Sequence, residues 1–248
     1  MRRVAFFVLV LCLAAGAVFS QSVVASTSWT AAIARAAGAT DVVSLAPPEL
    51  THPPEYELRP SDLLRVREAD VAVYAGYEVM VERLVEAAEA TNVTMVRIRT
   101  GYNRDILERS IRAVADVIGT QSAAEASIER LTLELSRWRR ELARRGLEGA
   151  RVLAHFHQQG LARELGFDVV GVFGPAPLEA AGIRDLSAQD SELIIDNGHN
   201  PVAAPLAETV EAPVVVWYNF PGFEGTESLL DVLRHNRRAL AAELDSGL

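Results

Sequence analysis

The stretch SAAEASIERLTLELSRWRRELARR, residues 122–145, decides how the rest of the chain is read. Ile128, Leu131, Leu135, Trp138 and Leu142 fall three or four residues apart, so they line up as one apolar stripe of an α-helix. Ser122 with Glu125 three residues on has the pattern of a capping box. Just upstream, Arg104–Ile118 carries a second amphipathic pattern, with Ile106, Leu107, Ile111, Val114, Val117 and Ile118 on one face and Gly119 as its stop. At 1.5 Å per residue the longer helix extends about 36 Å, enough to run along two small domains. Its outer residues Glu129, Arg130, Glu134, Arg137, Arg139 and Arg140 read as a solvated face.

On both sides of this helical pair, short β-branched runs alternate with helical patterns. Ser22–Thr27, Val42–Ala46, Val71–Ala75 and Thr94–Ile98 read as buried strands before it; Arg151–His155, Phe167–Val172, Glu192–Asp196 and Pro213–Trp217 read as strands after it. Helical spacing recurs between them at 30–37, 61–68 and 78–90, then at 158–165, 201–209 and 227–244, with Ser61 as the expected N-cap of its segment. Strands separated by helices imply right-handed crossovers and parallel sheets. The expected fold class is therefore α/β: two lobes, each with a roughly four-stranded parallel sheet and flanking helices, bridged by a long rigid helix. The boundaries are residues 21–103 for the first lobe, 104–148 for the helical connector and 149–248 for the second lobe.

Residues 1–20 read as an export signal. Arg2 and Arg3 precede the apolar run Val4–Phe19, and Val18-Phe19-Ser20 offers a cleavage site before Gln21. The run is short for a permanent span, which takes about 20 apolar residues. Cys12 follows Leu11, not a small residue, so lipid attachment is not expected. It is also the only cysteine, so the exported chain would hold none, which excludes thiol nucleophiles and thiolate metal ligands. The chain has 24 basic and 33 acidic residues, and every basic residue is arginine. An acidic, lysine-free chain argues against a nucleic-acid partner and against a phosphate-cradling lysine. No HExxH or GxSxG motif is present, and no strong cluster of paired carboxylates, so an enzyme is not expected.

The segment Thr51-His52-Pro53-Pro54-Glu55-Tyr56-Glu57-Leu58-Arg59-Pro60-Ser61-Asp62 resembles the "PH-x-YE-x-x-PSD" segment of the ZnuA/TroA-like solute-binding proteins of zinc and manganese ABC importers. Glu68–Val71 and Tyr74–Glu78 resemble that family's "EADLVFYNGLGLE" strand and turn. Arg151–His155 with Leu165–Val172 resembles its "vvtsH…YGLEVVGV" segment. The resemblance covers essentially the whole exported chain. It implies a periplasmic receptor that takes up a transition-metal ion, zinc first and manganese second, in a cleft between two lobes and hands it to an inner-membrane ABC permease.

The resemblance also implies four ligand positions. His52 matches the first and His155 the third. The second falls within Arg99–Asn103, where this chain has no histidine, and the fourth falls at Asn219, an amide in place of an acid. The residues themselves offer substitutes. Four of the five histidines, His52, His155, His157 and His199, follow predicted strands, where parallel sheets bind ligands. The expected site is His52, His155 and His199, completed by His157 or by a carboxylate such as Glu78 or Glu55. His235 on the last helix reads as a surface residue. Tyr102, Trp217 and Tyr218 either wall the cleft or pack in the core. The alternative reading is a receptor of the same fold for a metal chelate or a small organic ligand. A monomer is expected.

Overall fold

The computed structural model describes residues 21–50 and 52–246; the predicted export signal and Cys12 lie outside the described residues. Four strands build the first sheet: β1 (Ser22–Ala25), β2 (Asp41–Ser44), β3 (Val71–Tyr74) and β4 (Thr94–Arg97). Four more build the second: β5 (Arg151–His155), β6 (Asp168–Phe173), β7 (Leu193–Asn197) and β8 (Val214–Trp217). Every pairing is parallel, in the orders β2-β1-β3-β4 and β6-β5-β7-β8. Parallel neighbours need a crossover, and α1 (Ser28–Ala36), α2 (Pro60–Glu68) and α3 (Val81–Glu89) supply it in the first lobe. The bridge is α4 (Arg104–Ile118) and α5 (Gln121–Arg144). In the second lobe α6 (Gln159–Glu164), α7 (Ala180–Ser187) and α8 (Ala204–Ala207) cross over, and α9 (Leu229–Ser246) closes the chain. Helix α7 escapes sequence reading because none of its residues is buried, so no apolar stripe marks it.

Two helix starts differ from expectation, each because a side chain has a better partner. Helix α2 begins one residue early, at Pro60; the Asp62 carboxylate accepts from the Arg59 N–H at 2.9 Å and replaces Ser61 as the cap. The capping box at Ser122 does not form. Thr120 holds the cap position of α5, and its hydroxyl donates to the Ala37 carbonyl at 2.5 Å, tying the bridge to α1. Glu125 is drawn away by the Arg112 guanidinium, at 2.6 and 3.0 Å.

The apolar stripe of α5 is buried throughout, at Ile128, Leu131, Leu135, Trp138 and Leu142. It lies within a single core that takes Val23, Trp29 and Val73 from the first lobe and Val152, Ile195 and Trp217 from the second. Trp138 meets Trp217 edge to face, ring centres 5.2 Å apart. One residue of the supposed solvated face behaves otherwise: Glu134 is buried and accepts from Arg237 of α9 at 2.8 Å, while Arg237 also pairs with Glu141 at 2.8 Å. A carboxylate leaves water here only because a guanidinium accompanies it. A second contact between the lobes lies at the cleft floor, where Trp29 packs on Tyr102 and on Phe220 at 6.1 and 6.2 Å. Nearby, Gly222 (φ +120°) sits so close to the Pro48 carbonyl that any side chain would collide with it.

Both sheets reverse their strand order beside the central strand, between β1 and β3 and between β5 and β7. The crevices outside the carboxyl ends at such points are where parallel sheets bind ligands. Among the described residues no helix is long and apolar enough to cross a membrane. Because both lobes share the core that α5 crosses, Trp138→Ala is expected to lower the unfolding free energy by about 3–5 kcal/mol. Urea titration followed by fluorescence should show the midpoint fall while the transition stays single.

Candidate functional site

The chain segments that leave the strand ends at these two switch points, together with the loop at His52 and the loop after β4, surround one cavity of about 750 Å³ between the lobes. His52 enters it from the first lobe, where it precedes a short 3-10 turn at Pro53–Glu55. His157 and His199 enter from the second lobe, two residues beyond β5 and β7 respectively. His52 and His157 are exposed, whereas His199 is buried against an aromatic wall. The His199 ring stacks on Phe220 with centres 3.4 Å apart and meets the edges of Tyr218 and Phe223 at 5.0 and 5.6 Å.

His199 is also fixed chemically. Its Nδ1 lies 2.7 Å from Asn219 Oδ1. In the tautomer that suits a metal ligand, Nδ1–H donates to that amide oxygen and Nε2 keeps its lone pair; orientation of this kind by a second group is general at metal sites. Asn219, at the position the family resemblance gives to an acidic ligand, thus directs a neighbouring ring.

His155 is placed differently from the expected arrangement. It is fully buried at the end of β5, edge-on to Phe173 at 5.7 Å and packed on Gly174, and it does not line the cavity. Its Nδ1 accepts from the His157 N–H at 3.1 Å, and its buried Nε2 has no partner among the described residues. The structure therefore brings together His52, His157 and His199 and sets His155 behind them. Among the described residues, no three histidine, aspartate, glutamate or cysteine side chains stand close enough to hold an ion. The three rings face a common space without yet converging.

The two carboxylate candidates lie elsewhere. Glu78 is buried at the first switch point and fully engaged: it accepts from Ser26 Oγ at 2.5 Å and from the N–H groups of Ala75, Gly76 and Tyr77 at 2.9, 2.6 and 3.1 Å. Glu55 is exposed and outside the cavity. Of the aromatic candidates only Tyr102 lines the cleft; Trp217 is in the core and Tyr218 stacks on Phe223 at 3.7 Å behind His199. His235, read as a surface residue, is half-buried edge-on to Tyr218 and Phe223, 3.6 Å from Glu224. Sequence reading did not single out Thr27, Trp29, Asn197 and Asn200, all of which line the cavity. Their common signal is position: Asn197 ends β7, and the others follow the carboxyl end of a strand.

Desolvation lowers the pKa values of three second-lobe histidines, His155, His157 and His199. The His199 pKa is pushed down to about 4 chiefly by burial; the Asn219 bond opposes this, and the nearby His157 and His52 charges add to it. That of His155 is pushed down to about 4 by burial and then by His157, and that of His157 is lowered by burial. In the unfolded chain these rings titrate near 6.5. For His155 and His199, between that value and about 4 the unfolded state binds more protons, so folding stability falls as the pH falls through this window and levels off below it; the lowered pKa of His157 acts in the same direction. We expect the unfolding free energy of the metal-free protein to drop between about pH 6.5 and 4, by at most a few kcal/mol per ring, with a matching fall in the urea midpoint. In His199→Gln that drop should be visibly smaller.

Comparison with known proteins gives three findings. Residues 23–114 match the family model ZnuA, zinc-uptake complex component A periplasmic. No curated protein matches the chain. Among solved structures, the Streptococcus pneumoniae AdcAII protein superposes with a TM-score of 0.71 at 16% identity, over 90% of this chain and 99% of that one. The laminin-binding protein Lbp of Streptococcus pyogenes gives 0.70 at 14%, over 91% and 99%. The Mn-bound periplasmic metal binding protein from candidatus liberibacter asiaticus gives 0.66 at 15%, over 90% and 98%. At these identities the likeness in three dimensions is one of fold. The chain thus resembles the ZnuA family in sequence over residues 23–114, and it has the two-lobed α/β fold of these solved structures over nine-tenths of its length.

Proposed function

We propose that this protein is the extracytoplasmic solute-binding component of an ABC importer, exported by its N-terminal signal, that captures a transition-metal ion in the interlobe cleft and delivers it to a membrane permease. Zinc is the preferred cargo and manganese the second. The observation that carries the reading is that His52 from one lobe and His157 and His199 from the other line a single cavity, with His199 Nδ1 2.7 Å from Asn219 Oδ1. The ZnuA match over the first lobe supports it from sequence.

The choice of zinc rests on donor chemistry. Imidazole suits zinc at about 2.0–2.1 Å, whereas manganese favours carboxylate, carbonyl and water oxygens. The cavity offers three imidazoles and, among the described residues, no carboxylate. Exposed His52 and His157 are free to rotate toward the buried, fixed His199, so binding draws the lobes together around the least mobile ligand. The same accounting favours a binding protein over an enzyme. Glu78, the buried carboxylate nearest the first switch point, is saturated by four donors and has no lone pair to spare for a general base.

Zinc affinity of the stripped protein, measured by competition with a chelating dye, tests this directly. His52→Ala, His157→Ala and His199→Ala are each expected to weaken binding by about a hundredfold or more, that is by roughly 3 kcal/mol. His155→Gln should stay within about tenfold of the parent, since that ring lies behind the cleft. Undiminished binding by His199→Ala would move the site elsewhere.

A further inference from the structure

The polar groups of the cleft are matched to something other than a bare cation. No aspartate or glutamate is among the described residues that line it, and its one permanently charged side chain is Arg99. Arg99 is exposed; its backbone is held by Ser110 Oγ, at 3.2 Å from N and 2.7 Å from O, while its guanidinium has no hydrogen bond or ion pair among the described residues. The amides point the same way. Asn103 Oδ1 accepts from the Ile106 N–H at 2.9 Å, Asn197 Oδ1 from Gln158 Nε2 at 2.9 Å, and Asn219 Oδ1 faces His199 Nδ1 at 2.7 Å. Each of these oxygens already has one partner, whereas the NH2 groups of Asn103, Asn197 and Asn219 have no hydrogen bond among the described residues and are free to donate. The cavity of about 750 Å³ is also far larger than an ion needs, since one water occupies about 30 Å³.

A dipositive ion held by three neutral imidazoles keeps its full charge, and a nearby guanidinium adds a third positive charge in a partly sheltered space. Such an arrangement is unfavourable unless an anion accompanies it. A zinc site with three protein ligands also has a fourth coordination position to fill. We propose that the cargo lodges as zinc together with a small carboxylate anion, one carboxylate oxygen completing the coordination of His52, His157 and His199 and the remaining oxygens facing Arg99 and the asparagine NH2 groups. This rests on the metal reading given above and adds the second component of the cargo.

The coupling can be measured by equilibrium dialysis of the metal-stripped protein against radiolabelled acetate, malonate or citrate, each with and without zinc at a buffered free concentration. The expected result is retention of at least one of these anions near one per protein with zinc present, and affinity lower by about five- to a hundredfold without it, the usual range for coupled ligands. Arg99→Ala should weaken anion retention by about tenfold or more while zinc bound without anion stays within about threefold. Zinc retained at the cleft with none of the three anions overturns this inference and leaves the metal reading standing. Anion retained equally with and without zinc also overturns it. Zinc retained under no condition overturns both.

Discussion

The two lobes are held in register by one apolar stripe. Helix α5 places Ile128, Leu131, Leu135, Trp138 and Leu142 in a core to which both sheets contribute, so the lobes are not independent bodies on a flexible tether. The buried Glu134–Arg237 pair fastens the same helix to α9. At the cleft floor, Trp29, Tyr102 and Phe220 form a second line of contact, and the Gly222 backbone closes on Pro48 without room for a side chain. A molecule joined at both places has little freedom for wide hinge motion. For the proposed site, bringing the three rings together would come mainly from small lobe shifts and from rotation of exposed His52 and His157, with His199 as the fixed reference.

The parallel topology explains why donors collect in this cleft. In each sheet the strand order reverses beside the central strand, and the chain leaves the two adjacent strand ends in opposite directions. That opens a crevice which backbone loops do not fill. Buried polar groups keep the crevices in shape: Glu78 gathers Ser26 and three backbone N–H groups at the first, and Asp196 accepts from the N–H groups of Asn197 and Ala203 at 2.8 and 3.0 Å at the second. Glu78 reads as a functional candidate in the sequence, yet its oxygens, like those of Asp196, are engaged in building the walls. Histidines, amides and Arg99 are left to line the cavity.

What sequence reading recovers follows from the range of the interactions involved. Eight strands are legible because runs such as Val71–Tyr74 and Leu193–Asn197 are β-branched or apolar enough to be buried on both faces. The stripe of α5 is legible because its period is local. Glu134 is misread because its partner Arg237 lies 103 residues away, and the Ser122 capping box is lost to Thr120 and Ala37, 83 residues apart. The histidine pair at 155 and 157 shows the limit most clearly. Alternation along a strand would point both rings the same way, but β5 ends at His155 and the rule ends with it. The turn that follows sends His157 into the cleft and leaves His155 against Phe173 and Gly174.

Net charge illustrates the same limit at another scale. Without Arg2 and Arg3 the chain carries 22 basic and 33 acidic residues, which suggests a cation-collecting protein. At physiological ionic strength, however, surface charge is screened over about 8 Å, so the acidic exterior raises the cation concentration near the protein without setting the potential inside the cleft. There the neighbours decide. Three imidazoles, one guanidinium and a set of amide NH2 groups line the cavity, with no carboxylate among the described residues. A protein can therefore attract cations as a whole while the cleft proposed to bind one supplies no carboxylate of its own among the described residues, which is why the proposed cargo brings an anion with it.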